Sequence, residues 1–342
     1  MRLQLASYLM LSLTLPIALG VAQGVDHAAL VVLSFIVPAT IQKVESIAVP
    51  GTKAFPESIT STSDGALFVG RVGNGGIVRV EPRTAKSTVF VEPGAAGSRS
   101  ILGVFADEAS NTLWACSNDL SALGGAATGR DTVSALKGFD LKTGVGKRSV
   151  SLPGPHAYCN DITVDSKGSV YITDSANPTV LLLSPGATAF KVFSSSQQFL
   201  PPREGAAGLD GIAFGSDGNL YVTTYVAGEL FRIDVKRGKA GRVTKLHGPS
   251  LTFPDALRPF GEMSFLLVEG AGTLDRVDIE GDEFKTASIH GGFRQPTSLT
   301  RVHSTAWVTE GQLGFFFDRT HNSPPSLPFR IYAVSLSKGQ TQ

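Results

Sequence analysis

The sequence predicts an all-β protein, a six-bladed β-propeller, and three observations carry that prediction. One hairpin recurs as "PESITSTSDGALFVG" near 56, "CNDITVDSKGSVYIT" at 159 and "LDGIAFGSDGNLYVT" at 209. Weaker copies stand at "ILGVFADEASNTLWAC", "FPDALRPFGEMSFLLVEG" and "QPTSLTRVHSTAWVTEG", so positions 57, 102, 160, 210, 255 and 297 are equivalent and lie 45, 58, 50, 45 and 42 residues apart. Thirty-eight Gly and nineteen Pro imply many tight turns, while no helix-length apolar period alternates with the strands.

Each element of the repeat has a physical reading. In the clear copies a polar residue is followed two positions later by Ile59, Ile162 or Ile212, and Leu67, Val170 or Leu220 opens a second strand. The intervening "SDG" or "SKG" supplies the positive φ that a short hairpin demands. Third strands follow as "GIVRVEP", "TVLLLSP", "ELFRIDV" and "TLDRVDI". A unit of about four strands repeated with this period is the mark of propeller blades, which bury their faces only by stacking in a ring. The insertion "SNDLSALGGAATGRDTVSALKG" falls between strands of the second unit and reads as a loop over one rim.

Composition bounds the function. The 342 residues are 42% hydrophobic and 17% charged, as in a folded protein. A net charge of +1 without a basic run leaves nothing to neutralise a phosphate backbone, so a nucleic-acid partner is excluded. Residues 1–24 pair an early Arg2 with an apolar stretch and small residues near Gly20 and Ala22, the pattern of a secretory signal peptide, so the chain is expected outside the cell. An apolar extension follows at 25–49; its run at 28–39 is short for a membrane span and Pro38 interrupts it, so no stable span is expected in the mature chain. The propeller is assigned to 50–337 and a tail to 338–342. Cys116 and Cys159 suit an oxidising compartment, and either a disulfide or two buried thiols fits the sequence.

In a propeller the inner strands run side by side along a central channel, so equivalent positions at their starts form a ring. That ring reads Glu57, Leu102, Asn160, Asp210, Asp255 and Thr297. Carboxylates crowded at one channel mouth repel unless a cation neutralises them, which makes Glu57, Asn160, Asp210 and Asp255 the candidate metal ligands. Calcium, with about six to eight oxygen ligands, fits best; manganese and magnesium suit the same donors. Zinc is disfavoured, since no His or Cys pair has ligand spacing. Asp161, one residue past Asn160, faces away on a regular strand. Asp174 in "ITDSAN" reads as a structural turn residue.

At these residues the chain resembles the family of SMP-30, gluconolactonase and LRE-like proteins, with more distant kinship to paraoxonases and strictosidine synthase-like propellers. The resemblance covers roughly 50–337. It implies a six-bladed fold with a divalent metal in the channel, held by Glu57 of "FPESI", Asn160 of "CNDITVD" and Asp210 of "LDGIAF". It further implies hydrolysis of a lactone or carboxylic ester, a small-molecule substrate, the metal polarising the carbonyl and Asp210 or His156 of "GPHAYCND" activating water. Leu102 departs from the family, whose sugar-lactone members usually carry Asn there, and shifts the expectation to a more apolar lactone or ester. No Gly-x-Ser-x-Gly elbow supports a covalent serine route. The competing readings are a non-catalytic binding module with a structural channel calcium, and a metal-free strictosidine synthase-like enzyme, which would have no need of Glu57, Asn160 and Asp210 together.

Overall fold

The hairpin turns form as their glycines require: Gly65, Gly168 and Gly218 have φ of +91°, +79° and +76°. In the second of these, Asp165 accepts the Lys167 and Ser169 amides at 2.9 and 2.8 Å, locking the turn that pairs Val164 with Val170. A computed structural model describes residues 46–154, 156–318, 320 and 323–336. The signal-like segment 1–24, most of the 25–49 extension and the 338–342 tail lie outside the described residues.

Six four-stranded antiparallel sheets result. Blades 1 to 5 are consecutive in the chain, with inner strands Pro56–Ser61, Ser100–Asp107, Cys159–Val164, Leu209–Phe214 and Pro254–Pro259. Blade 6 combines Pro296–Val302, Thr305–Glu310 and Arg330–Ser335 with Ser46–Ala48, whose Ile47 lies opposite Ile331. The first described strand thus pairs with the last and closes the ring. It falls inside 25–49, so the propeller includes Ser46–Ala48 and does not begin at 50. No helix among the described residues is long and apolar enough to cross a membrane.

The blades hold together by burying both sheet faces. Tyr171 is buried between Phe193 and Phe214, edge-on at 4.9 and 5.1 Å, with its hydroxyl on Asp165. Phe68, Phe139, Phe231 and Phe265 are likewise buried, each worth roughly 1.5–3 kcal/mol of transfer free energy. Cys116 and Cys159 form a disulfide that ties blade 2 to blade 3. The blade 2 insertion lies between Thr112–Asn118 and Ala135–Asp140 and is pinned by the buried Lys137, whose ammonium donates to Asp131, Ala96 O and Ser149.

One irregularity is common to all six blades. The pairing of the inner strand with its neighbour shifts at Pro56/Ile59, Ile101/Val104, Cys159/Ile162, Leu209/Ile212, Pro254/Leu257 and Pro296/Ser298. Each ring residue sits in this bulge, where the ladder is interrupted and a side chain can be re-aimed.

Candidate functional site

The bulges bring Glu57, Asn160, Asp210 and Asp255 together as buried residues, each 5–6% exposed. Their backbones are fixed between blades by threonines of the second strands. Thr173 accepts the Asp161 amide and donates to Asp210 O at 2.6 Å. Thr223 accepts the Gly211 amide and donates to Asp255 O, and Thr309 donates to Glu57 O. The recurring "YIT", "YVT" and "WVT" of the repeat place these threonines at equivalent positions.

Asn160 is held with particular care. Its amide donates to Ser175 Oγ at 2.8 Å, and Ser175 in turn donates to Leu209 O. Thr297 spends its hydroxyl on Glu57 O at 2.7 Å and acts as a backbone clamp. Leu102 is buried in the apolar core and contributes no donor.

Asp161 does not follow the alternation expected of a regular strand. Within the bulge it turns inward and meets Arg258 of blade 5 in a bidentate pair at 2.7 and 3.0 Å, while accepting the Ile212 amide at 3.1 Å. The equivalent bulge positions carry Ser58, Gly103, Gly211, Ala256 and Ser298, so this charge is peculiar to blade 3. Arg258 stood in the quoted "DALRPFG", yet nothing local marked its partner 97 residues away.

The ring carboxyls are electrostatically stressed. Burial, then repulsion from Asp210 and Asp161, holds Glu57 well above its usual range, with Arg258 opposing. Burial and Asp161 push Asp210 up to about 8, against hydrogen bonding from Asp255 and Asn160. Burial and the charges of Asp210 and Glu57 raise Asp255, and its hydrogen bond with Asp210 raises it further.

Glu57 Oε2 and Asp210 Oδ1 are buried without a hydrogen-bond partner among the described residues. A buried carboxylate oxygen left bare is costly, and oxygen-rich donors of this kind suit a hard cation. No three His, Cys, Asp or Glu side chains among the described residues form a ready cage; the set that fits is two carboxylates and the Asn160 amide, with Asp255 alongside. His156 is not brought to the ring. It is exposed in the loop ahead of Cys159 and lines a surface groove with Asp174, Asn177 and Val192. Asp174 is structural as read, capping the turn through the Tyr158, Ala176 and Asn177 amides.

No family model and no curated protein matches the chain. Among solved structures it is similar to a gluconolactonase from Xanthomonas campestris, with 13% identity over 85% of this chain and 90% of that one at a TM-score of 0.60. A luciferin-regenerating enzyme aligns at 11% identity over 85% and 95%, TM-score 0.62. The Malassezia sympodialis allergen Mala s 1 aligns at 14% identity over 85% and 96%, TM-score 0.63. At these identities the likeness is one of fold: the chain is a six-bladed β-propeller.

Proposed function

We propose that the acidic ring is the active site of a secreted, divalent-cation-dependent hydrolase that opens a lactone or cleaves a carboxylic ester. The observation that carries this reading is the pair of bare, buried oxygens, Glu57 Oε2 and Asp210 Oδ1, contributed by different blades to one channel end. Charge bookkeeping agrees with a divalent ion. Asp161 is cancelled by Arg258, which leaves the three crowded ring carboxyls, raised by burial and mutual repulsion, for a cation to neutralise. Fold likeness to a gluconolactonase and a luciferin-regenerating enzyme supports an enzyme of this general kind. The Cys116–Cys159 disulfide supports an oxidising destination.

Glu57, Asn160 and Asp210 would hold the cation, calcium being the best match to these donors. A bound cation polarises the ester carbonyl and stabilises the oxyanion that develops there. The chain's own contribution is threefold. Ser175 keeps the Asn160 amide oriented, and the Asp161–Arg258 pair bridges blades 3 and 5 beside the carboxyl ring. In this reading Asp210 would take up the proton of the attacking water, with Asp255 hydrogen-bonded beside it.

The depth of the ring favours one alternative, a binding module in which the cation is structural. Activity on a panel of lactones and aryl or alkyl esters separates the two, using protein stripped by chelator and resupplied with calcium, manganese or magnesium. Turnover that is lost and regained with the cation, and abolished in Asp210→Asn, supports the hydrolase. Turnover that survives chelation sinks the proposal, and stabilisation by calcium without any turnover hands the site to the binding module.

A further inference from the structure

The position two residues ahead of the ring carries Phe55, Ser100, Tyr158, Gly208, Phe253 and Gln295 in blades 1 to 6. Phe55 and Phe253 share a left-handed backbone, with φ of +44° and +56°. Their surroundings differ. Phe55 is buried under Phe316 and Phe329, with centroids 5.4 and 4.8 Å away, whereas Phe253 is 45% exposed. Gly208 offers no side chain and stands close to Phe199 O and Ser175 O, and Tyr225, whose amide donates to Gly208 O at 2.8 Å, reaches across to blade 5. Its ring lies 5.3 Å from that of Phe253 at a 37° tilt, and its hydroxyl abuts Gly270, where a Cβ would lie 3.3 Å away.

Tyr158, Tyr225 and Phe253 therefore flank Asn160, Asp210 and Asp255 on three successive blades. Both phenols feel the ring. Burial, then Glu57 and Asp210, pushes Tyr158 upward, and burial, then Asp255, Asp210 and Glu57, pushes Tyr225 upward. Neither hydroxyl has a hydrogen-bond partner among the described residues.

We infer that Tyr158, Tyr225 and Phe253 form a subsite for a planar aromatic group carried beside the reacting carbonyl, so that the substrates are aryl esters or aryl-substituted lactones. Only the placement of that carbonyl rests on the hydrolase reading; the aromatic subsite itself does not. The tilted Tyr225–Phe253 pair leaves Phe253 open to a third ring, and offset or edge contacts between aromatic rings add roughly 0.5–1.5 kcal/mol beyond burial. A polyhydroxylated ring would leave hydroxyls facing Phe253, which cannot bond them. The free phenols of Tyr158 and Tyr225 can serve one or two oxygens at the edge of the aromatic group.

The test uses neutral probes, so that ring charge does not enter. The full chain is titrated by calorimetry with 4-fluorophenol and with cyclohexanol, a hydroxylated ring of similar size that is not planar. The expected result is about fivefold tighter binding of 4-fluorophenol, lost in Phe253→Ala and in Tyr225→Leu while the calcium midpoint of each variant stays at the wild-type value. Phe253 is half exposed, so its variant keeps the test open if Tyr225→Leu does not fold. Equal affinity for the two probes, or undiminished 4-fluorophenol binding in Phe253→Ala, overturns the subsite. Hydrolysis is read separately: alkyl and aryl esters cleaved with equal kcat/KM overturn the subsite and leave the hydrolase standing. Selective aryl binding with no ester cleaved does the reverse.

Discussion

Asn118 of blade 2 grips Cys159 of blade 3 from both sides: its amide donates to Cys159 O at 2.8 Å, and its carbonyl accepts the Cys159 N–H at 3.0 Å. The bond from Cys116 reaches the same residue through its sulfur. Asn160 is next in the chain, so its position depends on blade 2 as well as on its own sheet. In Asn118→Ala two buried backbone groups lose their partners, which costs about 2 kcal/mol. A lower melting temperature is expected together with a weaker response to calcium, measured by thermal melts with and without the ion. An unchanged calcium response would show that Asn160 does not depend on this grip.

Removing the Cys116–Cys159 bridge opens a loop of 43 residues. Chain entropy assigns such a closure about 4 kcal/mol. The Cys116→Ala, Cys159→Ala double variant should unfold at correspondingly lower denaturant, and equal midpoints for it and the wild type would contradict the assignment.

Stability in the absence of cations should depend on pH in a defined direction. Glu57, Asp210 and Asp255 all keep their protons to higher pH in the folded chain than in the unfolded one. The folded state therefore binds the extra protons, and its stability is full below the unfolded carboxyl range near about pH 4. That contribution is lost as pH rises through about 8, where Asp210 ionises. Melting temperatures of chelator-treated protein should fall across this window, and the increment given by calcium should grow across it. An increment largest at acid pH would contradict the account.

Arg258 is the fixed positive charge nearest the site, pairing Asp161 with side chains 14% and 6% exposed. Arg258→Gln leaves Asp161 buried and unpaired, at a cost of about 3–5 kcal/mol. It also adds to the negative field at the ring, so calcium should bind roughly tenfold tighter. Adding Asp161→Asn should restore part of the stability and return the calcium affinity toward the wild type. Calorimetric titration of the single and double variants checks both signs.

The propeller was legible because the "SDG" turns and their spacing are local, and each forces a hairpin whatever lies around it. The ring was legible for the same reason: Glu57, Asn160, Asp210 and Asp255 share one register. What escaped depends on contacts between blades. The bulge cancels the strict alternation that seemed to turn Asp161 away, and its partner Arg258 lies in another repeat. Tyr225 follows the second strand of blade 4 and packs on Phe253 of blade 5 rather than standing at the repeated position, so no pattern announced it. His156 has the right residue type near Asn160 in sequence, yet its loop carries it to the outer surface.

The central claim is that Glu57, Asn160 and Asp210 jointly hold a divalent cation. Calorimetric titration of calcium into chelator-treated wild type, Glu57→Gln, Asn160→Ala and Asp210→Asn tests it most directly. The account predicts one site per chain in the wild type and at least about tenfold weaker binding in each variant, a loss of about 1.4 kcal/mol or more. Calcium that binds all four proteins equally, or none of them, would contradict it.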